Sequence, residues 1–287
     1  MKKLKAIHVN WTRPSCCIKG ATDYKMSDFE LLCLILSSLL WRKHNGTIKL
    51  YTDNVGYEYY KKLNLLSLWN GGIDVNTLES ISEDVSPSIY WAAAKIFALQ
   101  VESLPVVLLD TDLLVWENLE RELEDVQLAA FHRESIATDC YLSMSELKKR
   151  SDYQFDSLWN WKEEPCNTAL AYFNNEDFRK YYTSSAINFM QGNDEHPSDR
   201  VSQMVFAEQR LFSMCAKKMG VPIHTFLAEP YNGINDNYTH LWGAKQVALD
   251  DPDFHGKLCR SLLNAIQRDF PQYEIPQEIL WLLQYKY

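Results

Sequence analysis

Two aspartates close an apolar run. In PVVLLDTDLLVW, Pro105 to Trp116, the carboxylates of Asp110 and Asp112 follow four aliphatic residues in a chain that is already acidic. In an extended chain, side chains two apart share a side, so Asp110 and Asp112 are expected to project together while Thr111 faces away. Adjacent carboxylates repel, and they either share a proton or gather a cation. A divalent ion carrying a diphosphate would answer both charges. The plain alternative is a polar strand exit with ordinary turn acids. The same spacing recurs in DDPDF at Asp251 and Asp253, but no buried strand precedes it there, and that copy reads as solvated surface.

The elements that must position such a pair are legible as a pattern. Short apolar runs ending in polar residues alternate with amphipathic stretches, which predicts an α/β fold with a Rossmann-like, mainly parallel central sheet flanked by helices. The expected strands are Leu4 to Val9, Ile48 to Thr52, Ile73 to Asn76, Val106 to Asp110, Leu128 to His132 and Ala169 to Phe173. Open α/β sheets bind ligands beyond the carboxyl ends of their strands, which is where Asp110 and Asp112 fall. A helix is expected over SDFELLCLILSSLLWRKHNG, where Ser27 and Glu30 have capping-box spacing and Gly46 supplies a stop. Two more are expected from Ser88 to about Glu102 and from Arg200 to Lys218, the last closed by Gly220 as a left-handed cap.

Composition narrows the classes. The chain has 287 residues, 46% of them hydrophobic, enough for one large core, and no repeat or low-complexity linker divides it. We expect a single domain over 1–287, with an excursion from the sheet at about 133–164 and a helical tail at about 254–287. Lysine and arginine number 29 against 38 acids, a net charge of −9, which disfavours nucleic acid and anionic lipid as partners. The seven cysteines, Cys16, Cys17, Cys33, Cys140, Cys166, Cys215 and Cys259, show no C-x-x-C spacing and fit reduced thiols of a cytoplasmic protein. No stretch reaches the roughly 18 apolar residues of a membrane span. The closing EILWLLQYKY has helical spacing and allows at most peripheral contact with the inner face of a membrane.

Four short motifs in order then resemble a GT-A glycosyltransferase with a DxD motif, nearest in arrangement to the family 8 and related nucleotide-sugar transferases. Lys95 in SIYWAAAKIFALQ stands where that family carries a basic residue on the helix before its DxD strand. CNTALAYFNN, with Asn167, Thr168 and Ala169, matches an Asn-Ala-Gly-like strand in part. Glu208 and Gln209 in AEQRLF match an acid-glutamine pair opening a long helix. HLWGAK, with His240, Gly243 and Lys245, matches His-x-x-Gly-x-x-Lys in part, its lysine one position early. The resemblance runs from Leu4 to about Lys245. It implies a GT-A fold, a hexosyltransferase activity of the kind used in polysaccharide biosynthesis, a nucleoside-diphosphate sugar as donor with UDP-sugars favoured, a glycan or lipid-linked hydroxyl as acceptor, and retention at the anomeric carbon.

The residues take roles under that reading. Asp110, Asp112 and His240 would hold Mn²⁺, or Mg²⁺, because two carboxylates and an imidazole suit a hard cation, the imidazole favouring Mn²⁺. Lys245 or Lys95 would meet the phosphate charge, and Glu208 and Asn167 would lie beside the reacting sugar. Asn10, Trp11 and Thr12 at the first strand's exit, with Thr52 and Asp53 at the second, would line the nucleotide site, and Thr111, Gln209 and Gly243 would be further substrate-binding residues. Trp159, Trp161 and Trp242 are candidates to stack on acceptor sugar. An inverting enzyme would instead need a base such as Asp139 or Glu134. Two rivals remain: a haloacid-dehalogenase-like phosphatase with Asp110 as nucleophile, and a non-catalytic sugar-nucleotide-binding protein.

Overall fold

The apolar runs become strands buried on both faces. A computed structural model describes residues 3–15, 24–193, 199, 201–233 and 235–284. Cys16, Cys17, Arg200 and the closing 285–287 lie outside that set. In chain order the elements are β1 (Leu4–Asn10), α1 (Asp28–His44), β2 (Gly46–Thr52), α2 (Asn54–Lys62), β3 (Ile73–Asp74), α3 (Asn76–Glu79), α4 (Ala93–Val101), β4 (Val106–Leu109) and β5 (Leu113–Val115). They continue as β6 (Leu128–Arg133), β7 (Cys166–Phe173), α5 (Glu176–Met190), α6 (Ser202–Val205), a π turn (Phe206–Arg210), α7 (Leu211–Met219), β8 (His224–Thr225), β9 (Tyr238–His240), α8 (Trp242–Asp250), α9 (Pro252–Asp269) and α10 (Gln277–Gln284).

The sheet runs β3-β2-β1-β4-β7-β6-β8. Every neighbouring pair is parallel except the two made by β7, so β7 alone runs against the rest. This is the mixed α/β, mainly parallel sheet that the pattern predicts. Alternate residues feed separate cores: Val107 and Leu109 join Ala6, Leu50 and Leu170 on one face, while Val106 and Leu108 join Ile7, Tyr51 and Ala171 on the other. Burial on both faces is why these strands read as unbroken apolar runs. The first core lies under α1, which also packs against β5 and α9; the second lies under α4, α5 and α7.

Local chemistry sets several boundaries. The capping box that opens α1 is formed, with Glu30 N donating to Ser27 Oγ at 3.2 Å and Ser27 N donating to Glu30 Oε2 at 2.9 Å. Asn45, not Gly46, caps its far end. Gly46 serves a close approach instead, since a Cβ there would lie 2.3 Å from the Leu4 carbonyl oxygen. Gly220, at φ +67°, closes α7 in the left-handed conformation as expected.

Other boundaries differ from expectation. The helix expected from Ser88 starts at Ala93, because Ser86 to Tyr90 are held in turns by Tyr90 N donating to Ser86 O at 2.8 Å and Ala93 N to Tyr90 O at 2.9 Å. The strand expected to reach Asn76 ends at Asp74, and Asn76 opens α3. Asp251 is not merely solvated: it is the N-cap of α9, accepting from Asp253 N and Phe254 N at 3.0 Å each. Between β6 and β7 the chain makes turns anchored by aromatic packing. Trp159 is buried and donates to Tyr181 Oη at 3.0 Å. Trp161 stacks on Phe206 at 5.7 Å with the Arg210 guanidinium 5.0 Å from its centroid. Both indoles are therefore engaged in packing within the body of the protein. No helix among the described residues is long and apolar enough to cross a membrane.

Candidate functional site

The aspartates sit on a turn. Asp110 N still donates to Ala169 O of β7 at 2.8 Å, and Leu113 N donates back to Asp110 O at 3.1 Å, so Asp110, Thr111 and Asp112 form the bend between β4 and β5. The extended-chain reason for their proximity is thus corrected; the bend brings them together. After the bend, β5 pairs antiparallel with β9, placing Leu113 opposite His240, and Leu241 N donates to Asp112 O at 3.0 Å. Trp116 Nε1 donates to Thr239 Oγ1 at 3.0 Å across the same ribbon. A distant histidine is in this way fastened beside the aspartates by three residue pairs of sheet.

One oxygen or nitrogen each from Asp110, Asp112 and His240 lie within 4.8 Å of one another. His240 Nε2 is 3.7 Å from Asp112 Oδ1. Lys95, reaching in from α4, places Nζ 2.5 Å from Asp110 Oδ1 and 2.9 Å from Glu208 Oε1. Glu208 projects from the π turn and also accepts from Thr168 Oγ1 at 2.9 Å, while its carbonyl accepts from Tyr182 Oη at 2.6 Å. An extra backbone residue in a helix re-aims the side chains of that turn, which is why such turns recur at sites. The interruption of the helix expected over Arg200 to Lys218 therefore falls on Glu208 and Gln209 themselves.

The charges do not balance. Burial raises the pKa of Asp110, Lys95 pulls it down and Asp112 raises it again, with a net rise. Burial alone would lower the Lys95 pKa, but Asp110 and Glu208 together hold it above the usual lysine range. Asp110 and Glu208 thus share one lysine, and Asp112 adds a further negative charge beside Asp110. Lys95 Nζ meets Asp110 Oδ1 as an ion pair, while His240 Nε2 is buried without a hydrogen-bond partner. A buried imidazole nitrogen without a partner, beside two carboxylates, is the observation that fits a cation here, and an O, O, N donor set suits Mn²⁺ or Mg²⁺.

The cluster lies between two cavities. One of about 390 Å³ is lined by Asn10, Trp11, Tyr24, Glu30, Thr111, Asp112 and Lys245. The other, of about 650 Å³, is lined by Asp110, Glu134, Asn167, Glu208, Gln209, His240, Trp242 and Gly243. Lys95 lines both. Asn167 Nδ2 donates to Glu134 Oε1 at 3.2 Å, and Gln209 Oε1 accepts from Tyr141 Oη at 2.5 Å. Trp242 stands 68% exposed at the rim of the larger cavity, which neither Trp159 nor Trp161 lines. Lys245 is in contact with Glu30.

Three expected nucleotide residues line neither of these two cavities. Thr12, Thr52 and Asp53 are buried. Asp53 Oδ2 accepts from Thr12 N and Oγ1 at 2.8 Å each, and its Oδ1 accepts from Gly56 N at 2.9 Å, capping α2. They brace the ends of β1 and β2. Asp139 likewise lines neither cavity, whereas Glu134 does. Tyr24, Tyr231 and Glu30 line the cavities without having been singled out for it. Glu30 was visible only as a capping residue, and the two tyrosines carried no spacing signal.

The sheet, the bend and the cluster define a mixed α/β protein with a candidate cation site between two cavities. The chain belongs to a family of unknown function (DUF6734), which it matches over residues 4–273. No curated protein matches it in sequence. Solved structures that align with it include mouse xyloside xylosyltransferase 1 in its apo form, at 11% identity and a TM-score of 0.40, covering 79% of this chain and 85% of that one. PaToxG glycosyltransferase aligns at 11% and 0.43, covering 99% and 84%. An active-site mutant of LgtC aligns at 11% and 0.42, covering 88% and 96%. Alignments this distant carry no weight on what the chain acts on.

Proposed function

We propose that the chain is a metal-dependent glycosyltransferase domain of hexosyltransferase type. It would move a sugar from a nucleoside-diphosphate donor, UDP-sugars favoured, to a glycan or lipid-linked hydroxyl in polysaccharide biosynthesis. The observation that carries this reading is the position of Asp110, Asp112 and His240 between two cavities, both of which Lys95 also lines. Transfer needs two substrates to meet at one charged point, and a hydrolytic site needs only one cavity and water.

In this reading the smaller cavity takes the nucleotide. Asn10 Nδ2 and Trp11 Nε1 at its wall are hydrogen-bond donors without partners, and two donors suit the two carbonyl oxygens of uracil. Lys245, 48% exposed and paired with Glu30, is the cation that can turn to the diphosphate. Asp110, Asp112 and His240 would hold Mn²⁺ or Mg²⁺, which would supply Lewis-acid stabilisation of the leaving diphosphate. The C1–O bond to phosphate would break with its electron pair left on the diphosphate oxygen, and the acceptor oxygen would bond to C1 while its proton passes to that leaving oxygen. Lys95 is already shared by Asp110 and Glu208 and serves to fix both carboxylates rather than to bind phosphate. Glu208, engaged by Lys95 and Thr168, is placed to stabilise positive charge on the sugar but not to accept the acceptor's proton. Retention accords with that; Glu134 is the base an inverting reaction would use. Trp242 and Gly243 form the acceptor rim. Cys33, Cys140, Cys166 and Cys215 are thiols, which suits a cytoplasmic site of action.

A second reading has one observation in its favour: Lys95 against Asp110 is an arrangement a phosphatase with Asp110 as nucleophile would use. A panel of UDP-, GDP- and CMP-sugars, assayed for nucleotide release with Mn²⁺ and with chelator, separates the two. Metal-dependent release from a UDP-sugar is expected. No release from any donor, with phosphate-ester hydrolysis that Asp110→Asn abolishes, would overturn the transferase reading.

A further inference from the structure

A second cluster of ligand-type side chains lies apart from the bend. Asp28 sits in the first turn of α1, and His255 and Cys259 lie four apart on α9 and so share a face of that helix. A carboxylate oxygen, an imidazole nitrogen and the thiol sulfur fall within 4.8 Å of one another. Asp28 and Cys259 are 2% and 1% exposed, and the His255 side chain 16%. Three donors of three types converge where α1 and α9 pack.

We propose that Asp28, His255 and Cys259 form a zinc-type cation site that clamps α9 to the start of α1. The donor set decides the metal class: a thiolate with an imidazole and a carboxylate selects Zn²⁺ over Mn²⁺ or Mg²⁺, the reverse of the O, O, N set at Asp110. Asp28 Oδ1 and His255 Nε2 are 2.8 Å apart, within hydrogen-bond distance. Zinc bonds of about 2.0–2.1 Å in a tetrahedron set such atoms about 3.3 Å apart, so binding opens this contact by about half an ångström. The Cys259 proton is released to solvent, the imidazole binds neutral and the carboxylate ionised, so one proton leaves per ion bound. The clamp reaches the first cavity through its neighbours: Phe29 and Glu30 follow Asp28 and line that cavity, and Glu30 holds Lys245 of α8.

This site is independent of the transferase reading, and the test keeps them apart. Co²⁺ titrated into the reduced full-length chain reports thiolate coordination through a sulfur-to-metal charge-transfer absorption, which the thiol-free cluster at Asp110 does not give. One equivalent is expected to produce the band, and Zn²⁺ to abolish it. Asp112→Asn is expected to keep the band, Cys259→Ser to lose it, and His255→Gln to weaken Co²⁺ binding at least tenfold, with far-UV circular dichroism confirming each fold. No thiolate band in the parent chain overturns the proposal, even if a variant fails to fold. A band that survives Cys259→Ser overturns it too, because the ligand is then another thiol.

Discussion

Asp110 and Asp112 are two residues apart and differ in environment. Asp110 is pressed against Lys95 and shares that lysine with Glu208; Asp112 lines the smaller cavity with His240 beside it. Removing Lys95 would leave two largely buried carboxylates uncompensated, which costs about 3–5 kcal/mol in fully buried pairs. With Asp110 21% exposed, Lys95→Met is expected to cost near the lower end, about 3 kcal/mol, measured by urea unfolding. Asp110→Asn in the same chain should recover part of the loss. The aspartates were legible in sequence because an apolar run marks its own end. Lys95 was legible only as a helix residue with a family counterpart; its double pairing depends on Glu208, which no spacing connects to it.

The element that matters most to the site is the ribbon of β5 and β9. Each strand has three residues, too few for any alternation to register, and His240 read as part of a polar loop. The pairing exists because Leu113, Leu114 and Val115 bury against α1 while Tyr238 fills the same core, so packing rather than propensity makes the strands. Thr239→Val removes the acceptor of the Trp116 indole N–H. It is expected to cost about 1 kcal/mol in stability. Metal-dependent nucleotide affinity is expected to fall several-fold in the same variant, by calorimetry, because His240 is the next residue. Unchanged affinity would show that the ribbon does not position His240. The π turn was also invisible in sequence: the periodicity of a long helix ran through it, and only the packing of Phe206 under Trp161 marks the break.

At the scale of the whole molecule, the sheet was the most legible feature, since strands buried on both faces carry their own apolar signature, and six of the expected strands lie in it. The way the two cores are sealed was not. His8 lies fully buried in β1, its Nε2 3.2 Å from Ser37 Oγ, which donates to Leu113 O at 2.7 Å. Burial lowers its pKa from 6.5 to about 3. Between those values the unfolded chain binds a proton that the folded chain does not, so this contribution is full above pH 6.5 and is lost as pH falls toward 3. Glu102 acts in the same direction at lower pH: burial would raise its pKa, but hydrogen bonds from Lys5, Tyr51 and Lys49 bring it to about 2. Unfolding free energy is expected to decline from pH 6.5 downward, and His8→Gln to flatten the upper part of that slope. A parent profile flat between pH 6.5 and 5 would contradict the assignment.

The central claim is that Asp112 helps to hold a divalent cation that in turn holds a nucleoside diphosphate. Calorimetric titration of UDP into the parent and into Asp112→Ala, each with Mn²⁺ and with chelator, tests it most directly. The parent is expected to bind at least tenfold more tightly with Mn²⁺, about 1.4 kcal/mol, and the folded variant to lose that difference. If Asp112→Ala binds UDP with Mn²⁺ as tightly as the parent does, the metal site is not where this account puts it.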